Sequence, residues 1–109
     1  MDIYEQLMQK IKELEYSVKQ LRHTGTAFAT AEKDYKILLR HEVLKLRDEG
    51  QAVGIIDKIC YGIPTVAEAR FKRDVAEAVY EANKEAINSC KLQIRILSEQ
   101  LEREWGAAK

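Results

Sequence analysis

Apolar residues recur along the first part of the chain at Tyr4, Leu7, Ile11, Leu14, Val18 and Leu21, in alternating steps of three and four. This heptad spacing keeps one stripe of a helix turned toward a partner. Carried onward, the count lands on Gly25, Phe28, Glu32, Tyr35, Leu39, Glu42 and Leu46. The stretch LRHTGTAFAT, Leu21 to Thr30, changes the composition with its glycine and threonines but leaves the phase intact. A loop has no reason to preserve the repeat, so the pattern predicts one helix over about residues 2–49. Gly25 would cost about 1 kcal/mol against alanine there, and a kink at Gly25 is the competing reading.

Gly50 stands where a helix C-cap is expected. The following QAVGIIDKICYGIP is too apolar for a loop wholly in water. A short helix at about 55–61, ended by Gly62, is expected inside a connector spanning 50–64. Thr65-Val66-Ala67-Glu68 matches a capping box, in which Thr65 and Glu68 satisfy each other's backbone N–H groups. No glycine or proline then occurs before Gly106, so a second long helix is predicted over about 65–105. Ion pairs one turn apart are available to it at Glu68–Lys72, Arg70–Asp74, Arg73–Glu77 and Glu99–Arg103. Its seam runs through Ala69, Arg73, Ala76, Tyr80, Asn83, Ile87, Cys90, Ile94, Leu97 and Leu101.

Two seams and one connector predict an all-α, single-domain chain over 1–109: a long antiparallel two-helix hairpin, coiled-coil-like, with a short helical connector. Matching the polar interruptions of the seams suggests a register. With Leu46 opposite Ala69, Glu42 meets Arg73, Tyr35 meets Tyr80, Glu32 meets Asn83 and Gly25 meets the small Cys90. Gly25 then marks a close approach of two helices. A slip of one heptad would set Glu42 or Arg73 against apolar neighbours, which is costly for a buried unpaired charge.

One flank of this hairpin is apolar: Ala27, Ala31 and Leu38 on the first helix, Val75, Val79, Ala82 and Ala86 on the second. The opposite flank carries Glu15, Arg22, Lys36, Glu77, Lys84 and Lys91. A small chain with one apolar and one wet side is expected to self-associate through the apolar flank, as a homodimer or higher homo-oligomer, giving a four-helix bundle. An alanine-rich surface that meets nothing is the plainer alternative.

Charge narrows the partners. Lys plus Arg equals Asp plus Glu, 18 of each, and the signs are interspersed along the chain with no basic or acidic block. Such a surface gives no general attraction to nucleic acid or to a lipid surface. The N-terminus lacks the basic and apolar regions of a secretory signal, and no apolar run approaches the roughly 20 residues that span a bilayer. Cys60 and Cys90 fit no metal spacing and read as buried free thiols of a cytosolic chain.

Chemistry is sparse in the sequence. Asp74, Glu77, Glu81 and Glu85 share a helix face, as do the magnesium-binding carboxylates of all-α nucleotide pyrophosphatases. The second carboxylate set of such a site is not evident, and a solvated acidic face is the simpler reading. His23 and His41 stand apart, as surface residues. No catalytic residue, cofactor site or metal ligand is assigned. Lys45, Arg47, Lys58, Arg70, Lys72 and Arg73 would gather near the hairpin tip, where they could touch phosphates without reading sequence. Asp48, Glu49, Asp57, Glu68 and Asp74 lie in the same region, so a mixed-charge tip is favoured over a nucleic-acid contact.

The segments AEKDYKILLRHEVLKLRDEG and VAEARFKRDVAEAVYEANKEAINSCKLQIRILSEQLEREW together resemble small helical proteins encoded in phage and prophage genomes of Gram-positive bacteria. The likeness spans most of the chain and carries no catalytic motif. It implies expression in a bacterial cytoplasm and a role near phage DNA replication, recombination or host-factor control. The function expected is that of a non-enzymatic helical interaction or adaptor protein acting on an unidentified protein partner. A DNA-associated accessory protein with a basic tip is the alternative, and a magnesium-dependent pyrophosphatase a distant third.

Overall fold

The computed structural model describes residues 1–108. Among them there are helices and no strand: α1 (Ile3–Asp48), α2 (Val53–Ile59), a single 3₁₀ turn (Cys60–Gly62) and α3 (Pro64–Ala108). The long helix α1 packs against the long helix α3 as a helical hairpin. As the unbroken phase predicts, α1 continues through Gly25.

Local chemistry sets the ends. Asp2 caps α1, its Oδ1 accepting from the Glu5 backbone N–H at 2.7 Å. At the other end Gly50 takes φ +87°. Its N–H donates to the Arg47 carbonyl, and the Gln51 N–H donates to the Leu46 carbonyl. This pair of bonds is a Schellman motif with glycine in the left-handed position. The start of α3 differs from the expected capping box. Ile63 is extended, and its carbonyl accepts from the Ala67 N–H at 2.9 Å, so Pro64 is the first helical residue and Thr65 lies inside the helix. Proline is suited to that position, because its φ is already helical and its missing N–H is not needed.

The chain forms two compact units. The Thr24–Val79 unit holds the later part of α1, α2, the 3₁₀ turn and the start of α3. Tyr35, Ile56, Cys60 and Val66 are buried in it, Val66 completely. The other unit pairs residues 1–23 with the chain from Tyr80 onward. Ile87 and Cys90 are buried there, with Leu7, Ile11, Leu14, Leu21, Ile94, Leu97 and Leu101 half-buried around them.

The seams face inward as the periodicity predicts, except at Tyr4 and Val18, which are exposed. A straight helix of 3.6 residues per turn drifts against a strict heptad. At Val18 the drift brings Ser17 inward instead, and its carbonyl accepts from Asn83 Nδ2 at 2.9 Å.

That bond corrects the register. Matching of the seams places Asn83 opposite Glu32, whereas Asn83 meets Ser17, fifteen residues earlier on α1. The same matching places Tyr35 opposite Tyr80, whereas Tyr35 lies under the Arg73 guanidinium, 4.6 Å from its ring centre and seven residues earlier on α3. The pairing of Glu42 with Arg73 falls with the register. The cause is the connector. The chain reverses at Glu49–Ala52, directly after α1, and not midway through 50–64. Leu38 and Pro64 line the same hollow, so α1 runs on past the start of α3. The burial of Ile56 and Cys60 is what the first part of a return arm requires, and an apical loop would not provide it.

Candidate functional site

An open hollow of about 700 Å³ lies in the Thr24–Val79 unit. Ala27, Ala31 and Leu38 of α1 line it from one side, Pro64 and Ala69 of α3 from the other. Thr30, Asp34, Thr65, Glu68 and Lys72 complete its walls. The α1 residues arrive there because they occupy steps of three and four beside the seam; the small alanines leave the space open. Thr65, Glu68, Lys72, Val75 and Val79 follow one stripe of α3 at the same spacing. Val75 and Val79 are 45% and 51% exposed. Of the flank read from the sequence, Ala27, Ala31 and Leu38 come together at this hollow, with the α3 residues nearest the connector across from them. Ala31 and Leu38 are half-buried and Ala27 is exposed. Ala82 and Ala86, also exposed, belong to the other unit. That unit has its own smaller hollow, of about 410 Å³, with Gln6, Gln9, Lys10, Glu13 and Gln93 among its lining.

The basic residues of the connector end do not form a free set. Arg73 donates from Nη2 and Nε to Asp74 Oδ1 at 2.8 and 3.1 Å while lying over Tyr35. The hydrogen bond to Asp74 is the main reason its guanidinium is held above its ordinary value. Arg73 thus turns to its neighbour and not to Glu77. Asp74 being so occupied, the Arg70 guanidinium lies 5.4 Å over the Tyr61 ring. Lys72 stands in the wall of the hollow. Lys45, Arg47 and Lys58 are exposed in the last turns of α1 and α2.

The acidic face of α3 is engaged at two of its four carboxylates. Asp74 holds Arg73, and Glu81 is 2.9 Å from Lys84 Nζ, which also lies 4.5 Å over the Tyr80 ring. The Lys84 ammonium is raised from its ordinary value, chiefly by that bond to Glu81. Among the described residues no group of three His, Cys, Asp or Glu could hold a metal ion. Cys60 and Cys90 are free and buried, as expected. No helix among the described residues is long and apolar enough to cross a membrane.

Sequence reasoning missed the Asn83–Ser17 contact. A side chain bonding to a main-chain carbonyl leaves no mark on the identity of the accepting residue. It also missed Pro64, whose place at the first turn of α3, immediately after the extended Ile63, puts its ring in the hollow. Comparison with protein-family models, curated proteins and solved structures finds no match to the chain.

Proposed function

We propose that this chain is a non-enzymatic helical interaction protein that works through protein–protein contacts, using the apolar face of its Thr24–Val79 unit. The observation that carries the reading is the open hollow, with Val75 and Val79 exposed further along the α3 stripe that lines it. Exposed apolar side chains rimmed by charges are a ground on which partners bind, and an amphipathic helix laid in a groove is a recurrent mode. The cytoplasm of a bacterium and a phage-derived gene are the setting we infer, on the resemblance of the two quoted segments. A phosphate-contacting tip has weaker support, because Arg73 and Arg70 are drawn onto Asp74, Tyr35 and Tyr61.

Affinity capture from a Gram-positive bacterial lysate tests the reading, with Val79→Glu and Lys58→Glu as parallel baits. Protein partners should be depleted on the Val79→Glu bait and retained on the Lys58→Glu bait. The reverse pattern, accompanied by a salt-dependent mobility shift with DNA, would overturn the reading in favour of the phosphate-contacting tip.

A further inference from the structure

We propose that the hollow of the Thr24–Val79 unit is filled by a second copy of this chain, across a two-fold axis passing between Glu68 and Lys72. Glu68 of each copy then faces Lys72 of the other. The inference rests on the reading that this face makes protein contacts, and names the partner.

Three observations converge on a second copy. The first is area. A compact monomer of 12.6 kDa exposes roughly 6,200 Å², whereas this chain exposes 8087 Å². The surplus, about 1,900 Å², is surface that a compact chain of this mass would enclose by itself.

The second is self-complementarity. A two-fold interface joins a patch to itself, so it needs both signs of charge on the same patch, disposed about the axis. Glu68 and Lys72 are one helical turn apart on one stripe of α3, and both line the hollow. Their spacing permits an ion pair within the helix, yet neither side chain makes one in its own chain. In two antiparallel copies each finds the opposite charge directly across, twice over. Asp34, on the other wall, is already near a cation, 3.9 Å from Lys33.

The third is shape and long-range field. The alanines at 31 and 69 let a facing helix approach closely, since interaxial distance follows side-chain size at the contact. Val75 and Val79 extend the apolar strip beyond the charged pair. The formal net charge of zero leaves no general repulsion between copies.

The decisive experiment is charge exchange in trans. Wild-type protein should sediment as a dimer. Glu68→Lys sets two lysines against each other at each crossing of the axis, and Lys72→Glu sets two glutamates there. Each variant alone should remain helical by circular dichroism and dimerise about tenfold more weakly or worse. Mixing the two variants should restore dimer. The introduced lysine of one then meets the introduced glutamate of the other, while the unaltered Lys72 and Glu68 also meet. Repulsion within one helix cannot be relieved by mixing, so restoration isolates the contact between copies. Single variants that dimerise like wild type would place the interface elsewhere, and a mixture that stays monomeric would refute the facing of Glu68 and Lys72. A wild-type monomer at high concentration would refute the second copy as occupant. If that monomer still lost its lysate partners on Val79→Glu, the broader reading of a contact face would stand.

Discussion

Gly50 and Gly54 lie four residues apart and should respond oppositely to the same change. A Cβ at either would meet open space, so packing decides neither outcome. Gly50 has φ +87°, where a side chain costs about 1–2 kcal/mol, so Gly50→Ala should destabilise by about that much and Gly50→Asn by less. Gly54 lies inside α2 without a positive φ, and Gly54→Ala should stabilise by up to about 1 kcal/mol. Denaturant titration of the two variants reads both signs. The cap at Asp2 makes a similar point about legibility. Asp2-Ile3-Tyr4-Glu5 carries the same four-residue signature as Thr65–Glu68, yet the bond forms at Asp2 and helix α3 starts ahead of Thr65. Pro64 outcompeted the threonine, and a rule applied to four residues does not see the fifth. Glu13 offers a pH test. Its hydrogen bonds from Lys10 and then Gln9 hold its carboxyl below the ordinary 4.5. A lowered folded value means stability that is present above the unfolded pKa and lost as pH falls through the folded one. A proton titration followed by NMR should place the Glu13 midpoint below 4.5, and Lys10→Met should raise it. Being exposed, the pair is open to screening, and the effect should shrink with added salt.

Between the helices, Tyr35 and Arg73 form the contact that distinguishes the observed register. The ring is buried, 5% exposed, and the cation lies 4.6 Å from its centre. A double-mutant cycle with Tyr35→Leu and Arg73→Met should give a coupling of about 0.5–2 kcal/mol. The same cycle with Glu42→Gln in place of Tyr35→Leu should give coupling near zero, whereas the seam-matching register would require the opposite result. The two seams were legible in the sequence because burial of one stripe repeats every turn, and Leu7, Ile11, Tyr35, Ile87 and Cys90 face inward as that period demands. Their mutual offset was not legible. Every heptad slip preserves the same stripe, so the offset depends on where the chain turns. Gly50 terminates α1, and α2 begins only after Ala52, so the apolar run Val53–Tyr61 becomes part of an arm. Reading that run as an apex moves the turn and carries every cross-pair with it.

At the level of the molecule, exposed apolar surface is the feature that most constrains behaviour. Val53, Ile55, Phe71, Val75, Val79 and Trp105 are all exposed, while few large side chains are fully enclosed. A fold that gains burial from a second copy is stabilised by mass action, so its melting temperature should rise with protein concentration. Calorimetry over a wide concentration range checks this; a midpoint independent of concentration would count against assembly coupled to folding. Val79→Glu puts a charge on the apolar strip while leaving the seam residues Ala76 and Tyr80 in place. It should shift light-scattering mass toward monomer and remove most of the concentration dependence. The candidate face was half visible in the sequence: Ala27, Ala31, Leu38, Val75 and Val79 could be placed on one flank by spacing alone. Pro64, Glu68 and Lys72 joined Ala27 and Ala31 around a hollow only through the offset of the helices.

The sequence by itself determined that the chain is helical, where each long helix begins and ends to within a few residues, and which stripe of each turns inward. Those outcomes depend on neighbours within one or two turns, and the period of apolar residues records them directly. Only the tertiary structure decided that Tyr35 lies beneath Arg73, that Asn83 reaches the Ser17 carbonyl, and that a hollow opens beside Pro64. Such contacts join residues 38 to 66 positions apart, and a repeating seam offers several offsets of nearly equal local merit. The reversal at Gly50 and the burial of Ile56 and Cys60 on the returning arm select one of them.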